Sequence, residues 1–106
     1  MDAGHVFEQW VLAELYHRCR YAGSDHRLST WTTATGAEVD AVVETPDGAV
    51  PVEIKWTDSP TPRDARHVET FLDLHPREAR AGYVVCRCPR RQALTGRVTA
   101  LPWDEF

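Results

Sequence analysis

Apolar residues recur at three- and four-residue intervals near the start of the chain. Val6, Phe7, Trp10, Val11, Leu15 and Cys19 predict a helix over residues 3–20. Gly23, Ser24 and Asp25 then mark a turn. The period shortens to two after that. Leu28 to Thr33, Glu38 to Glu44 and Ala49 to Trp56 are rich in β-branched and aromatic residues and predict three strands. Thr45-Pro46-Asp47-Gly48 joins the second to the third as a hairpin. Pro60 and Pro62 stop the third strand, and Thr61 can cap a helix whose first position is Pro62. That helix runs to about Leu74, burying Ala65, Val68, Phe71 and Leu72, and Pro76 prevents its continuation. Gly82 to Arg87 predicts a fourth strand, Pro89-Arg90-Arg91 a loop, and Arg97 to Leu101 a short last strand. The expected architecture is one α/β domain over residues 1–106, a mixed sheet flanked by helices. Its first three strands form an antiparallel meander. The strand after the second helix is reached by a crossover and lies parallel to one of them.

Strand alternation assigns the hairpin side chains to faces. Val39, Ala41 and Val43 fall on one face of the second strand, and Glu38, Asp40, Val42 and Glu44 on the other. On the third strand Val50, Val52 and Ile54 oppose Ala49, Pro51, Glu53 and Lys55. A four-residue loop sets Asp40 against Glu53, and a two-residue Asp47-Gly48 loop sets it against Lys55. Either register gathers Glu38, Asp40, Glu53 and Lys55 on one face, whereas a three-residue loop would mix the faces. Glu8, near the edge of the first helix's apolar stripe, adds a carboxylate if that helix packs there.

Composition sharpens this grouping. Eleven of the 12 basic residues are arginines, and Lys55 is the one lysine. Residues 1–55 carry four basic and nine acidic side chains, and residues 56–106 eight basic and seven acidic, within a net charge of −4. A strongly basic nucleic-acid footprint is therefore absent. An acidic half with neighbouring carboxylates suits a divalent cation instead, because carboxylates about 5 Å apart repel until something neutralises them. Mg²⁺ or Mn²⁺ is the expected ion, held by one or two carboxylates plus water and substrate phosphate. Read on spacing alone, the same residues also describe an ordinary solvated sheet face.

Asp40, followed after twelve residues by Glu53-Ile54-Lys55, resembles the signature of the PD-(D/E)XK nuclease superfamily. The element order α-β-β-β-α-β is similar to its restriction-endonuclease-like core. Gly4, Phe7-Glu8, Leu15, Gly36-Ala37-Glu38-Val39-Asp40, Val52-Glu53-Ile54-Lys55 and Leu101-Pro102-Trp103 resemble one subfamily more closely. It is a domain of unknown function found C-terminal to bacterial and archaeal AAA-type ATPases. The resemblance implies a metal-dependent hydrolysis of nucleic-acid phosphodiesters. Asp40 and Glu53 would bind the metal, Glu8 would complete its site, and Lys55 would assist the attacking water. The alternative is a catalytically inactive, nuclease-fold interaction module that regulates an ATPase. The chain departs from the pattern in lacking a proline before Asp40, and it contains no Gly-rich phosphate loop of its own.

Arg63, Arg66 and His67 on the second helix are the candidate substrate contacts, set against the plainer reading of a solvated helix face. Trp10, Trp31, Trp56 and Trp103 read first as core and edge packing, with base stacking as the functional alternative. Cys86 and Cys88 are too close in sequence for a zinc knuckle. An odd cysteine count, no secretory signal and no long apolar run fit a reduced cytoplasmic compartment and no membrane contact. The expected partners are nucleic acid, DNA first, an AAA-type ATPase module, and a second copy in a homodimer.

Overall fold

Asp2 starts the first helix, its carboxylate accepting a hydrogen bond from the Gly4 amide at 2.9 Å in the computed structural model, which describes residues 2–105. Helix α1 runs Ala3–Ala22 and buries Phe7, Val11, Leu15 and Cys19, one residue per turn along a single stripe. Val6 and Trp10, placed on the same stripe by the apolar spacing, remain 46% and 44% exposed. The strands follow as β1 (Arg27–Thr32), β2 (Glu38–Thr45) and β3 (Gly48–Ile54). A 3₁₀ turn, Pro62–Ala65, leads into helix α2, Arg66–Leu74. The Asp64 carboxylate accepts from the Thr61 amide at 2.9 Å and fixes that entry. Strands β4 (Gly82–Cys86), β5 (Gln92–Ala93) and β6 (Val98–Pro102) complete the chain.

One six-stranded sheet contains them all in the order β1-β2-β3-β4-β6-β5. The first three strands are antiparallel neighbours. β4 lies parallel to β3 and β6 parallel to β4. The expected meander and crossover are both present. β5 falls outside the strands that the sequence predicts, and is a two-residue antiparallel pairing on β6.

The helices cover opposite faces, as a sheet with a parallel centre requires. On one face Phe7, Val11 and Leu15 pack on Ala41, Val52, Ile54, Val85 and Leu101. On the other, Ala65, Val68, Phe71 and Leu72 pack on Val39, Val42, Val84, Cys86, Val98 and Ala100. Alternation along β4 feeds both cores, Val84 and Cys86 to α2 and Val85 to α1. At Gly82 α2 comes so close to the sheet that a Cβ would run into Val68 Cγ1. Among the described residues no helix is long and apolar enough to cross a membrane.

Candidate active site

The site begins with a break in regular pairing. Ser29 of β1 faces Val42, but Trp31 faces Val39, so Asp40 and Ala41 together oppose Thr30. Two residues against one is a β-bulge, a device that re-aims side chains. It overturns part of the face assignment made from sequence. Val39 and Val42 both enter the α2 core, whereas Ala41 enters the α1 core. Strict alternation would have put Val39 with Ala41. Glu38, one residue before Val39, ends up exposed and acts electrostatically on Glu8 of α1.

A second break follows on the other edge of β2. Its pairing with β3 runs from Thr45↔Gly48 through Glu44↔Ala49 to Ala41↔Val52. That is the register expected to bring Asp40 opposite Glu53. At that point carboxylates bridge the strands. The Asp40 amide donates to Glu53 Oε1 at 3.3 Å, and the Ile54 amide donates to Asp40 Oδ2 at 2.8 Å. β3 stays with β4 meanwhile, through Ile54↔Val85 and a Lys55 amide bond to the Val85 carbonyl at 3.0 Å. The two candidate metal ligands thus sit in a fork between β2 and β3. Each is held by the other strand's backbone.

Burial sets the chemistry of this pair. Glu53 is 4% exposed and is the buried charged residue among those described. Its carboxyl is pushed up to about 9, first by burial, then by the hydrogen bond and negative charge of Asp40; Lys55 opposes the shift. At neutral pH Glu53 therefore holds a proton, and that proton is what a cation would replace. Glu8 approaches from α1. Its carboxyl is raised by partial burial, then by the charge of Asp40, and Glu38 adds to this while His5 and Lys55 counter it. Lys55 is thus the common countercharge of Glu8 and Glu53. The sequence-predicted set of Glu8, Asp40, Glu53 and Lys55 is electrostatically joined.

The set is not a finished cage. Among the described residues no group of three or more His, Cys, Asp or Glu side chains could hold a metal ion. The donor chemistry fits Mg²⁺ as a two-carboxylate site, an ion that ordinarily keeps several waters. His67 comes to the same place from α2, its Nδ1 3.7 Å from Glu53 Oε2. Arg63 and Arg66 stay exposed, with Arg66 Nη1 bonded to the Arg63 carbonyl at 3.0 Å. Of the three substrate candidates, only His67 is shown in contact with a site carboxylate. Asp40 also lines a cleft of about 390 Å³ between α1 and β1, with the polar groups Gln9, His17, Ser29 and Thr30. The sequence pattern does not reveal this cleft. Its signal would have been the bulge, which turns Asp40 toward α1 and β1.

The features together define a helix–sheet–helix α/β domain with a carboxylate pair and a lysine at a fork in the sheet. The chain belongs to the family described as a domain of unknown function, DUF4143, whose pattern matches residues 3–106. Neither a curated protein nor a solved structure matches it.

Proposed function

We propose that this domain is a nuclease of the PD-(D/E)XK kind that hydrolyses nucleic-acid phosphodiesters, DNA first, with Mg²⁺ or Mn²⁺. The observation that carries the reading is the pair of carboxylates bridging the β2–β3 fork beside the one lysine. Asp40 and Glu53 hold the cation, and Glu8 supports it from α1. A bound divalent ion lowers the pKa of its water and offsets charge on the phosphate. Lys55 orients the attacking water. His67 faces the phosphate beside Glu53, with Arg63 about a turn earlier and Arg66 the residue before it available to the strand's backbone. The setting is cytoplasmic, attached to or working with an AAA-type ATPase module that adds to the substrate affinity of this acidic chain.

One observation favours the non-catalytic alternative, an interaction module on such an ATPase. Glu8 does not join Asp40 and Glu53 in a three-donor group. Calorimetry with Mg²⁺ and Mn²⁺, with and without DNA, separates the readings. The nuclease binds the ion at millimolar concentration or below and cleaves DNA, and Asp40→Ala abolishes both. A wild-type chain that binds no divalent ion with DNA present is the inactive module.

A further inference from the structure

Three of the four tryptophans share one surface. Trp10, Trp56 and Trp103 are 44%, 42% and 43% exposed. Together with Val6, Phe7 and Arg87 they wall a groove of about 600 Å³. Trp31 alone among the tryptophans packs on the α2 core. Trp31 is the core member of the expected core-and-edge packing, and Trp10, Trp56 and Trp103 make ring contacts at an edge that leaves ring surface open, although the sequence does not tell which strand ends lie side by side.

Their placement follows from topology. Trp56 leaves the end of β3, Arg87 the end of β4 and Trp103 the end of β6. Those strands are parallel neighbours, so the groove lies over the carboxyl ends of the parallel part of the sheet. Ligands of open α/β sheets bind at such ends. The walls are fixed by backbone bonds, Arg87 amide to Thr57 carbonyl at 2.9 Å and Trp103 amide to Cys86 carbonyl at 3.0 Å. Trp10 meets Trp103 edge-on at 5.5 Å, and Phe7 meets Trp56 likewise at 5.2 Å. The Arg87 guanidinium sits 3.9 Å over the Trp56 ring and donates to the Trp56 carbonyl at 2.6 Å.

We infer that this groove is a stacking platform for the unpaired bases of a single-stranded nucleic acid. Among the described residues its lining carries a cation and no carboxylate, on a chain whose net charge is −4. That combination suits a ligand with flat apolar rings on an anionic backbone. A duplex buries its base faces within its own stack and offers the groove only an edge. The groove also adjoins the carboxylate fork, since Phe7 precedes Glu8 and Trp56 follows Lys55 in the chain. A strand stacked here would pass its backbone close to Asp40 and Glu53. The inference rests on the nuclease reading for that last step, and on the groove's own chemistry for binding.

The test is tryptophan fluorescence of the whole chain in EDTA, where no divalent ion takes part. The probes are an oligothymidylate of about ten nucleotides, an abasic strand of equal length, and a duplex, a length suited to single-strand site sizes. The oligothymidylate should quench the fluorescence, with the abasic strand and duplex bound about tenfold more weakly or worse, as loss of base stacking implies. Trp103→Leu and Trp10→Leu, which keep apolar surface but lose the ring face, should each weaken binding about fivefold or more with circular dichroism unchanged. Equal binding of the abasic strand, no quenching, or leucine variants that bind like wild type would overturn the inference. So would self-association in sedimentation that Trp103→Leu abolishes, because the groove is then a contact between copies. A parallel incubation with Mg²⁺ keeps the two readings apart. Base-dependent binding without cleavage retains the platform and removes the nuclease, and cleavage with base-independent binding does the reverse.

Discussion

The two ends of the β2–β3 hairpin are built from the same two strands and differ in what joins them. At the turn, Thr45 faces Gly48 and Glu44 faces Ala49 in ordinary pairing. Gly48 sits at φ +143°, and the chain folds back so closely on the α2–β4 connection that a Cβ there would strike the Glu78 carbonyl. At the fork, side chains take part in the joining, and a buried carboxyl has given up its charge. The turn end is optimised for the backbone. The fork end keeps two carboxylates and a lysine in a place where a pair of apolar residues would pack with less electrostatic cost. A fold carries such a feature when something else is gained from it.

Four experiments break or sharpen this contrast. Lys55→Ala should have the largest effect, lowering cleavage about 100-fold, the scale of a lost proton-handling group, while calorimetry still records the metal. Unchanged cleavage would remove Lys55 from the mechanism. Gly48→Ala acts at the opposite end and should destabilise by about 1–3 kcal/mol in urea unfolding, since φ is positive and a carbonyl occupies the space. Cleavage per folded molecule should not change.

Glu53→Gln addresses the fork's stability. A carboxyl raised in the folded state binds its proton more tightly there than when unfolded, so stability falls as pH rises from about 4.5 toward about 9. Gln keeps the acceptor for the Asp40 amide and has no charge to bury. The variant should match wild type near pH 5 and exceed it by at least about 1 kcal/mol near pH 9 in thermal melts, because even a tenfold difference in proton affinity between the folded and unfolded chain is worth about 1.4 kcal/mol. It should also lose the ion. A wild-type stability that is flat with pH would disprove the buried, protonated carboxyl. The smallest effect belongs to Arg66→Ala, which should flatten the salt dependence of DNA binding by about one in log–log slope and leave stability alone.

Much of the architecture was legible in the chain, for reasons particular to each element. The α1 stripe, the Thr61–Pro62 start and the meander rest on local signals that tertiary packing reinforces. Asp40, Glu53 and Lys55 were legible as a spacing, and the hairpin register then brought the carboxylates together. The bulge was not legible. A run such as Val39-Asp40-Ala41-Val42-Val43 is compatible with unbroken alternation, and only the pairing with β1 shows where a residue is added. β5 escaped because two exposed residues, Gln92 and Ala93, become a strand only through the edge that β6 offers. The aromatic groove escaped because nothing local to Trp56, Arg87 or Trp103 says that their strands run side by side.

The α1 stripe has a further consequence during synthesis. Phe7, Val11 and Leu15 precede in the chain every strand they pack on, and their partners are spread over Ala41, Val52, Val85 and Leu101. The helix therefore has no complete seat until the last strand has left the ribosome. At typical elongation rates, about 5–20 residues per second, its apolar side waits several seconds in the open. Glu8 rides on that helix, so a chain cut short before β6 lacks Leu101 from the seat of the helix that brings Glu8.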